Sequence, residues 1–564
     1  MTPCLEFMDT QRLILFVVFS FSVLMLWEAW QREKAPVPPP TSQSAARPAG
    51  TAAPNDVPTA QAPTPTGSVP GQPQSALKRG QRIYVTTDLV KLEIDTQGGD
   101  IRRLELLKHR STEDAKTNFV LLAENAPHIY VAQSGLLGPG LPTHHAQFTS
   151  AATSYALAPG QQSIEIPLRW NNGAGVEIIK TYVVRRNDYL IDVRWEVRNA
   201  TSAALPLTPY FQFMRDGNAP SGESFFLPTF TGAAVYTEAS KFKKVSFENI
   251  AENKVSYPTL ARDGWVAMLQ HYFVSAWLPR DAVEREYYTR RVDSNLYSAG
   301  ALLKYGTVAP QQARTVTTSA YLGPQEQVRL KALSENRIAP NLDLVVDYGW
   351  LTVIAAPLYW ILAMIHKLVG NWGVAIILLT ILIKLVFYPL SAKSYRSMAN
   401  MRVLAPKLQK LKEQYGDDRQ KMHQAMMDLY KTEKINPLGG CLPILVQIPV
   451  FIALYWVLLA SVEMRQAPFI GWIQDLSVPD PYYVLPVIMA ITMFVQTKLN
   501  PTPPDPVQAK VMMMMPLVFG VFFFFFPAGL VLYWVVNNLL SIAQQWQITR
   551  QIERENAAKG NARR

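Results

Sequence analysis

A single lysine inside an apolar stretch is the residue of this sequence with the clearest chemical potential. Lys384 is the one charged residue between Gly373 and Leu390, a stretch that otherwise has the composition of a membrane-spanning helix. Insertion scales assign about 2.5–3.5 kcal/mol to a lysine at the centre of such a helix. No Asp or Glu in the stretch offsets this free energy, so the charge predicts a functional site.

Lys384 also has three competing interpretations. A lysine roughly 9 Å from the end of its helix can extend its ammonium towards the lipid headgroups, and this structural explanation stays open. A proton-coupled transporter would need a carboxylate or histidine relay, and the last five apolar segments contain no Asp or Glu. A serine–lysine hydrolase would need a serine beside the lysine, but Ser391 lies two turns away. No catalytic residue is therefore expected, and the protein is not predicted to be an enzyme.

Polar side chains in the other apolar segments favour a site around Lys384. One of them shares a helix face with the lysine, and the others occur in later segments. The predicted polar lining consists of Thr380, Gln447, Asn538, Ser541 and Gln545. Isolated polar groups of this kind often form hydrogen bonds between helices. Their grouping around a charge without a carboxylate predicts instead a hydrated pocket that is open to the cytoplasm.

The elements that must position these residues are membrane helices. Of the 564 residues, 49% are hydrophobic, and the net charge of +11 would suggest nucleic-acid binding only in a soluble protein. Six spans are predicted, at 13–30, 370–390, 441–460, 482–498, 511–526 and 528–546. Lysine and arginine are concentrated in 391–440 and in the tail 547–564. The positive-inside rule therefore places these segments, the N-terminus 1–12 and the loop 499–510 in the cytoplasm.

The large segment between the first two spans is predicted to lie outside the cytoplasm, as does the short loop 461–481. Residues 31–77 are rich in proline and alanine, which predicts an extended linker. Period-two alternation and Asn/Gly turns over 78–340 predict one large antiparallel β-sandwich domain. Segment 341–369 is apolar but short, contains Pro357, and is predicted to form an amphipathic helix in the membrane interface. If this helix crossed the membrane, the β-domain would move to the cytoplasm.

The segment 391–440 has the pattern of an antiparallel helical hairpin. Apolar residues recur every three or four positions, with a break at Gly416–Asp418. The packing seam of the hairpin is one explanation of the apolar positions. The other makes the methionines a soft surface that receives varied apolar segments, formed by Met398, Met401, Met422 and Met426.

No metal or cofactor site is predicted. The two cysteines, Cys4 and Cys441, lie far apart, which excludes a disulfide scaffold and a cysteine metal site. A metal site is one interpretation of the pair His144 and His145. No cluster of carboxylates or cysteines lies near the pair in the sequence, and a solvated loop is the favoured explanation.

Four motifs resemble the YidC-type membrane protein insertases of the YidC/Oxa/Alb family. They are NPLGGCLPILVQIP (Asn436–Pro449), SVEMRQAP (Ser461–Pro468), DPYYVLP (Asp480–Pro486) and FPAGLVLYW (Phe526–Trp534). The start Met8–Arg12 also resembles the usual start of the family. The similarity covers the whole chain in the Gram-negative architecture and is strongest over residues 370–545.

The resemblance implies a periplasmic β-supersandwich and a five-span insertase core in the bacterial inner membrane, enclosing a groove open to cytoplasm and lipid. In the family, a positive residue in the groove, commonly arginine, attracts acidic residues of the substrate, and Lys384 takes that position here. The implied path for the apolar part of the substrate runs past Phe451, Tyr533 and Trp534. The expected partners are nascent membrane proteins, the Sec translocon, the ribosome and the lipid bilayer, with no DNA.

An alternative function belongs to a different class. The chain would then be a membrane-anchored periplasmic chaperone or binding module, with the β-domain as its working part.

Overall fold

The computed structural model places 56–58 and 77–561, apart from 115, 126–127, 221–228, 255, 416–417, 433–441 and 500–505. Segments 1–12 and 13–30 and most of the linker 31–77 lie outside the described residues, as do the side chains of Met398 and Met401. The chain divides into a unit from Gln43 to Asp347 and a unit formed by Met1–Ser42 with Tyr348–Arg564. The first is called the β-domain and the second the helical unit.

The β-domain consists almost entirely of strands, with two short helices. The strands are β1 Arg82–Thr86, β2 Val90–Asp95, β3 Asp100–Arg110, β4 Asn118–Leu122, β5 Tyr130–Leu137, β6 Thr149–Ser150, β7 Ser154–Ala156, β8 Ser163–Asn171, β9 Val176–Arg185, β10 Leu190–Asn199, β11 Leu205–Pro206, β12 Thr208–Asp216, β13 Gly232–Thr237, β14 Lys241–Ser246, β15 Leu260–Ala261, β16 Trp265–Gln270, β17 Phe273–Pro279, β18 Glu284–Asp293, β19 Leu296–Lys304, β20 Thr307–Val308 and β21 Gln312–Pro324. The helices are α1 Phe247–Ala251 and α2 Gln327–Glu335.

Two large sheets form a sandwich, as the alternation in the sequence predicts. One has the order β15-β18-β19-β12-β5-β3-β2-β1-β7 with β4 paired to β3, and the other has the order β14-β13-β16-β17-β21-β10-β9-β8-β6. Strands β11 and β20 form a separate pair. Among the strands that the structure describes, β1 and β7 are the one parallel pair, with Val85 opposite Tyr155. The sheets are otherwise antiparallel.

The pattern of β10 shows why these residues form strands. Val193, Trp195 and Val197 are buried, whereas the intervening Arg194 and Glu196 are partly exposed. This period of two fits a strand with one face in the core. The turn before β10 uses Asn187 at a φ of 53°, a left-handed conformation that asparagine adopts more readily than most residues.

Aromatic side chains fill the space between the two sheets. Phe211 and Phe213 on β12 lie 5.1 and 5.6 Å from the ring of Trp277 on β17, which belongs to the other sheet. Such pairs add about 0.5–1.5 kcal/mol each beyond the burial of their area. The core of the β-domain therefore lies between the sheets.

The helical unit contains eight described helices. They are α3 Thr352–Val369, α4 Trp372–Val386, α5 Tyr388–Tyr415, α6 Arg419–Thr432, α7 Leu442–Ala460, α8 Val484–Leu499, α9 Pro506–Phe522 and α10 Ala528–Asn561. Helices α7 and α8 begin and end close to the predicted spans 441–460 and 482–498. Helix α9 begins five residues before the predicted span 511–526, and α10 continues from the predicted span 528–546 into the tail.

Helix α3 differs from the amphipathic helix expected over 341–369. Its exposed face is apolar, since Val353, Trp360 and Leu368 are all exposed, while Ala355 and Leu362 are buried. Together with the preceding turn it forms a helix over Gly349–Val369 whose length and hydropathy suffice to cross a membrane. Among the described helices, it is the one that meets both criteria without a break. Its position in the interface stays a prediction.

The predicted span 370–390 is broken near its end. Helix α4 ends at Val386, and α5 begins at Tyr388 in a direction bent by 64°. Pro389 explains the break, because a proline inside a continuous helix lacks the N–H donor and collides with the carbonyl four residues earlier. In the first turn of a new helix, the proline is tolerated. The apolar composition continues through the bend and conceals it in the sequence.

Helices α5 and α6 occupy most of the region predicted as a hairpin. Helix α5 ends at Tyr415 and α6 begins at Arg419, and α5 starts three residues before the predicted boundary at 391. Leu411 and Leu429 line a cleft between the two helices, and Leu404 is buried. An apolar seam therefore joins these two helices.

Candidate functional site

Lys384 bonds to the last helix of the chain. The lysine is half-buried on α4, and its Nζ donates a hydrogen bond of 2.8 Å to Oγ of Ser541 on α10. Among the residues that the structure describes, no carboxylate forms an ion pair with Lys384. The positive charge is therefore held by a neutral hydroxyl, which leaves its electrostatic attraction for an anion uncompensated.

A chain of hydrogen bonds continues from Ser541. Its Oγ donates to the main-chain carbonyl of Asn537 at 2.7 Å, one helical turn earlier. The side-chain Oδ1 of Asn537 accepts a bond of 2.5 Å from Nε2 of Gln447 on α7. This series of hydrogen bonds connects α4, α10 and α7. It is called the Lys384 chain and consists of Lys384, Ser541, Asn537 and Gln447. Two of its members, Ser541 and Gln447, belong to the predicted polar lining.

The other predicted lining residues point to different partners. Asn538 donates a hydrogen bond of 3.3 Å to Oγ1 of Thr492 on α8. Gln545 donates one of 3.1 Å to the carbonyl of Leu499 at the end of α8. Thr380 donates 2.7 Å to the carbonyl of Ile376 within its own helix. The structure therefore brings Ser541 into direct contact with Lys384 and Gln447 into indirect contact. The remaining three bond elsewhere in the buried interior of the unit.

Two residues outside the predicted lining contribute to the site. Asn537 joins two members of the Lys384 chain, and Tyr395 on α5 forms a side-chain hydrogen bond with Ser541. The spacing of four residues between Asn537 and Ser541 is a signal for one helix face, which the sequence contains. Tyr395 has no comparable signal, because the bend at Phe387 turns α5 before this residue is reached.

The three aromatic residues predicted as a substrate path form one cluster. Phe451 on α7 lies 5.9 Å from the ring of Tyr533 and 4.6 Å from that of Trp534, both on α10. Tyr533 is buried, whereas Phe451 and Trp534 are partly exposed. The exposed part of this cluster therefore consists of Phe451 and Trp534.

The loop 461–481 covers one end of the helical unit. Its Asp480 is buried and accepts hydrogen bonds from Nε1 of Trp472 and from the main-chain N–H of Leu485 at 2.9 and 2.8 Å. Phe469 packs against Gly373 so closely that a Cβ there would lie 2.0 Å from its ring. Gly373 is required for this approach. The start of α4 is therefore closed by the loop.

The structure describes the side chains of two of the four predicted methionines. Met422 and Met426 on α6 are half-buried. Neither lines the cleft between α5 and α6, whose walls include Leu411 and Leu429. A surface of methionines for substrate segments stays a prediction.

The prediction of a solvated loop at His144 and His145 is wrong for His144. His144 is 1% exposed, because its main-chain N–H and ring both bond to the hydroxyl of Tyr210 beneath the loop. Val57, in the predicted linker, is also buried. These contacts join residues far apart in the sequence, so local patterns do not show them.

A β-sandwich domain, followed by apolar helices that enclose a lysine and buried amides, indicates a membrane protein with a large β-domain. The family model described as the YidC periplasmic domain matches residues 82–361, and the one described as the 60Kd inner membrane protein matches residues 364–556. The chain belongs to the YidC family of membrane protein insertases. It is accordingly an inner-membrane protein with a periplasmic β-domain.

Two relatives illustrate how far the similarity extends. The membrane protein insertase YidC of Methylobacillus flagellatus is 59% identical over 99% of this chain and 100% of the relative. That of Nitrosospira multiformis is 55% identical over 97% of this chain and 98% of the relative. A solved structure of an active YidC insertase with its first transmembrane domain resolved is 20% identical, with a TM-score of 0.40, covering 83% of this chain and 92% of that one.

Proposed function

We propose that this membrane protein insertase uses Lys384 to attract acidic residues in the segment that its substrate moves across the membrane. The observation that carries the proposal is the hydrogen bond of Lys384 to a hydroxyl, with no ion pair to a carboxylate among the described residues. Polar residues moved through lipid alone lose their hydration at a large free-energy cost. A groove that supplies water, hydroxyls and one positive charge lowers that cost.

The charge acts by attraction and not by chemistry. At an effective dielectric constant of about 20, a lysine and a carboxylate ~6 Å apart attract each other by ~3 kcal/mol. This is enough to bias an acidic segment towards the site without holding it permanently. A lysine retains the sign of the family's usual arginine but lacks the planar fork that binds a carboxylate with two hydrogen bonds. No bond is made or broken, and no cofactor takes part.

The apolar part of the substrate follows a different path. In this proposal the hairpin of α5 and α6 receives it in the cytoplasm, with Met398, Met401, Met422 and Met426 as an adaptable surface. It then enters lipid beside Phe451 and Trp534, whose rings are partly exposed next to the buried Tyr533. The segment leaves towards lipid because burial of its apolar surface is favourable there.

The proposed topology has six spans, a five-span core and both termini in the cytoplasm. The basic residues of 391–440 and 547–564 support this orientation through the positive-inside rule. The same charges are suited to ribosomal RNA, since phosphate contacts dominate such binding. Action beside the Sec translocon is part of the proposal.

Substitution of Lys384 tests the role of the charge. Lys384→Arg, Lys384→Ala and Lys384→Glu are compared by protease accessibility of a small membrane protein in cells depleted of the native insertase. Arginine should support insertion, whereas alanine and glutamate should reduce it. The matched control is Lys393→Ala, which removes an exposed lysine from α5. Normal insertion with both Lys384→Ala and Lys384→Glu would refute the proposal.

The alternative of a chaperone acting through the β-domain is tested by deleting Lys91–Ala320. If the insertase core carries the function, cells with the deletion remain viable and insert the test substrate. Loss of insertion at normal protein levels would place the function in the β-domain.

A further inference from the structure

An aspartate from the linker meets two histidines of the β-domain. Oδ2 of Asp56 lies 3.0 Å from Nε2 of His144, and Oδ1 lies 3.0 Å from Nε2 of His145. One ligand atom of each residue lies within 4.8 Å of the others. The aspartate comes from 88 positions earlier in the chain than the first histidine.

The first histidine is held with its Nε2 directed at the aspartate. Nδ1 of His144 lies 2.5 Å from the hydroxyl of Tyr210, which also accepts the main-chain N–H of His144 at 3.0 Å. Both the ring and the backbone are therefore fixed by one phenol. Bonding of one ring nitrogen to a neighbour is the usual way in which proteins orient a histidine that binds metal through the other.

The aspartate is also held in place from both sides. Nε2 of Gln212 donates 3.0 Å to the carbonyl of Asp56, and Nη1 of Arg290 donates 3.0 Å to the carbonyl of Val57. The carboxyl group is therefore fixed beside the two imidazole rings.

We propose that Asp56, His144 and His145 bind one Zn²⁺ ion. Two imidazole nitrogens and one carboxylate are donors that Zn²⁺ favours, and three protein ligands leave a fourth position for water. Neighbouring donor atoms of a tetrahedral zinc site are about 3.3 Å apart, as follows from zinc–ligand distances of about 2.0–2.2 Å. The two imidazole nitrogens lie 3.0 Å from different oxygens of Asp56, so the carboxylate must rotate for one oxygen to bind the ion together with both histidines.

The ligand atoms of the site distinguish Zn²⁺ from Ca²⁺ and Mg²⁺. To bind the metal through Nε2, each neutral imidazole carries its one proton on Nδ1, and in His144 this atom faces the hydroxyl of Tyr210. Ca²⁺ and Mg²⁺ prefer sites made entirely of oxygen ligands and would not replace Zn²⁺ here. The ion would connect the linker segment 56–58 to the β-domain, which adds a stabilising contact at the point where the linker joins the domain.

Zinc binding is measured on the full chain in detergent, purified without a polyhistidine tag and stripped with a chelator. Equilibrium dialysis against Zn²⁺, followed by elemental analysis, should give one zinc per chain, unaffected by excess Ca²⁺ or Mg²⁺. Asp56→Asn and His145→Gln should each lose this zinc. The matched control is His128→Gln, which removes a histidine that lies 3.8 Å from the carboxylate of Asp216 elsewhere in the domain.

A second variant separates binding from folding. Tyr210→Phe removes the hydroxyl that orients His144 and retains the ring in the core. It should bind zinc about tenfold more weakly with the same stoichiometry. Co²⁺ in place of Zn²⁺ should give the visible absorption of a four-coordinate ion in the wild type and not in Asp56→Asn. Absence of stoichiometric zinc in the wild type, or equal zinc in Asp56→Asn and His128→Gln, would overturn the proposal.

Discussion

The β-domain contains a fully buried lysine and the helical unit a half-buried one, and the two have different bonding partners. In the β-domain, Lys180 is fully buried and donates to the carbonyls of Gly98 and Ser134 at 3.0 and 3.4 Å. The carboxylate of Asp100 acts on it electrostatically. In the helical unit, Lys384 bonds to a hydroxyl, and no described carboxylate forms an ion pair with it.

Other charges of the β-domain are paired directly, whereas among the described residues Lys180 forms no ion pair. Asp100 forms an ion pair of 3.2 Å with the buried Arg102. Asp192 accepts hydrogen bonds from Arg185, from Arg280 at 3.1 Å and from Ser319 at 2.6 Å. Buried charges that are paired inside a domain contribute to its structure. This difference supports the proposal that the electrostatic partner of Lys384 comes from outside the fold, where a substrate would supply it.

A substitution that places a carboxylate beside Lys384 should have the largest effect on substrate insertion. In Ser541→Asp the new carboxylate lies beside the ammonium and neutralises it, as Asp100 does for its neighbours in the β-domain. Loss of an attraction of ~3 kcal/mol corresponds to a decrease in insertion of about a hundredfold. Ser541→Asn adds similar volume without charge and serves as the control. Equal insertion by the two variants, measured by protease protection of the substrate, would contradict the account.

The pH dependence of the β-domain should reveal the buried ammonium of Lys180. Burial lowers the pKa of Lys180 to about 7, although Asp100 raises it and Arg102 lowers it further. Between pH 7 and the ordinary pKa of lysine, the unfolded chain then binds more protons than the folded one. The free energy of unfolding should therefore rise with pH, by at most ~1.4 kcal/mol per unit and about 2 kcal/mol from pH 7 to 9.

Lys180→Met provides the comparison for this prediction. Calorimetric unfolding of the full chain in detergent should show a flatter pH dependence for this variant than for the wild type. The same slope in both proteins would show that another group causes the dependence.

Removing a paired charge from the β-domain should reduce stability without reducing insertion. Asp192→Asn leaves Arg185 and Arg280 without their carboxylate, at a loss of about 1–2 kcal/mol in the free energy of unfolding. Burial raises the pKa of Asp192, but its hydrogen bonds and the two arginines lower it overall, so the stabilisation disappears as the carboxylate is protonated in acid. Glu165→Gln, at an exposed residue of β8, is the control. A large loss of insertion in folded Asp192→Asn would weaken the division of roles between the two units.

The smallest effect is expected within the Lys384 chain itself. Gln447→Leu removes the hydrogen bond to Asn537 between α7 and α10, and such bonds contribute about 0.6 kcal/mol in membrane proteins. Equilibrium unfolding in mixed micelles should show this change. Gln496→Leu on α8 is the control, because Gln496 makes no hydrogen bond among the described residues. Equal stability of the two variants would show that the bond is not part of what holds the helices together.

The sequence predicts the parts of this architecture that depend on local pattern. Alternation identifies strands such as β10, and long apolar runs identify the helices of the second unit. Lys384 stands out because a charge in an apolar run is rare and costly. The apolar runs also show which polar residues are buried, but of the five predicted lining residues the described hydrogen bonds connect Ser541 and Gln447 to Lys384.

What the sequence does not show is which residues meet. Asp56 and His144 pair across 88 positions, and β1 pairs in parallel with β7, so neither has a local signal. The bend before α5 depends on Pro389 inside a run that remains apolar on both sides. Ser541 and Thr380 are both buried polar side chains in apolar helices. Ser541 bonds to Lys384, whereas Thr380 bonds to the carbonyl of Ile376.

A charge-exchange experiment tests whether Lys384 attracts the acidic residues of the substrate. Insertion is measured for one small substrate whose translocated segment carries acidic residues and for its neutral amide variant, each with the wild type and with Lys384→Ala. The wild type should insert the acidic substrate more efficiently, and Lys384→Ala should abolish this preference. If Lys384→Ala reduces the insertion of both substrates by the same factor, the lysine does not attract the acidic segment, and the proposed mechanism is wrong.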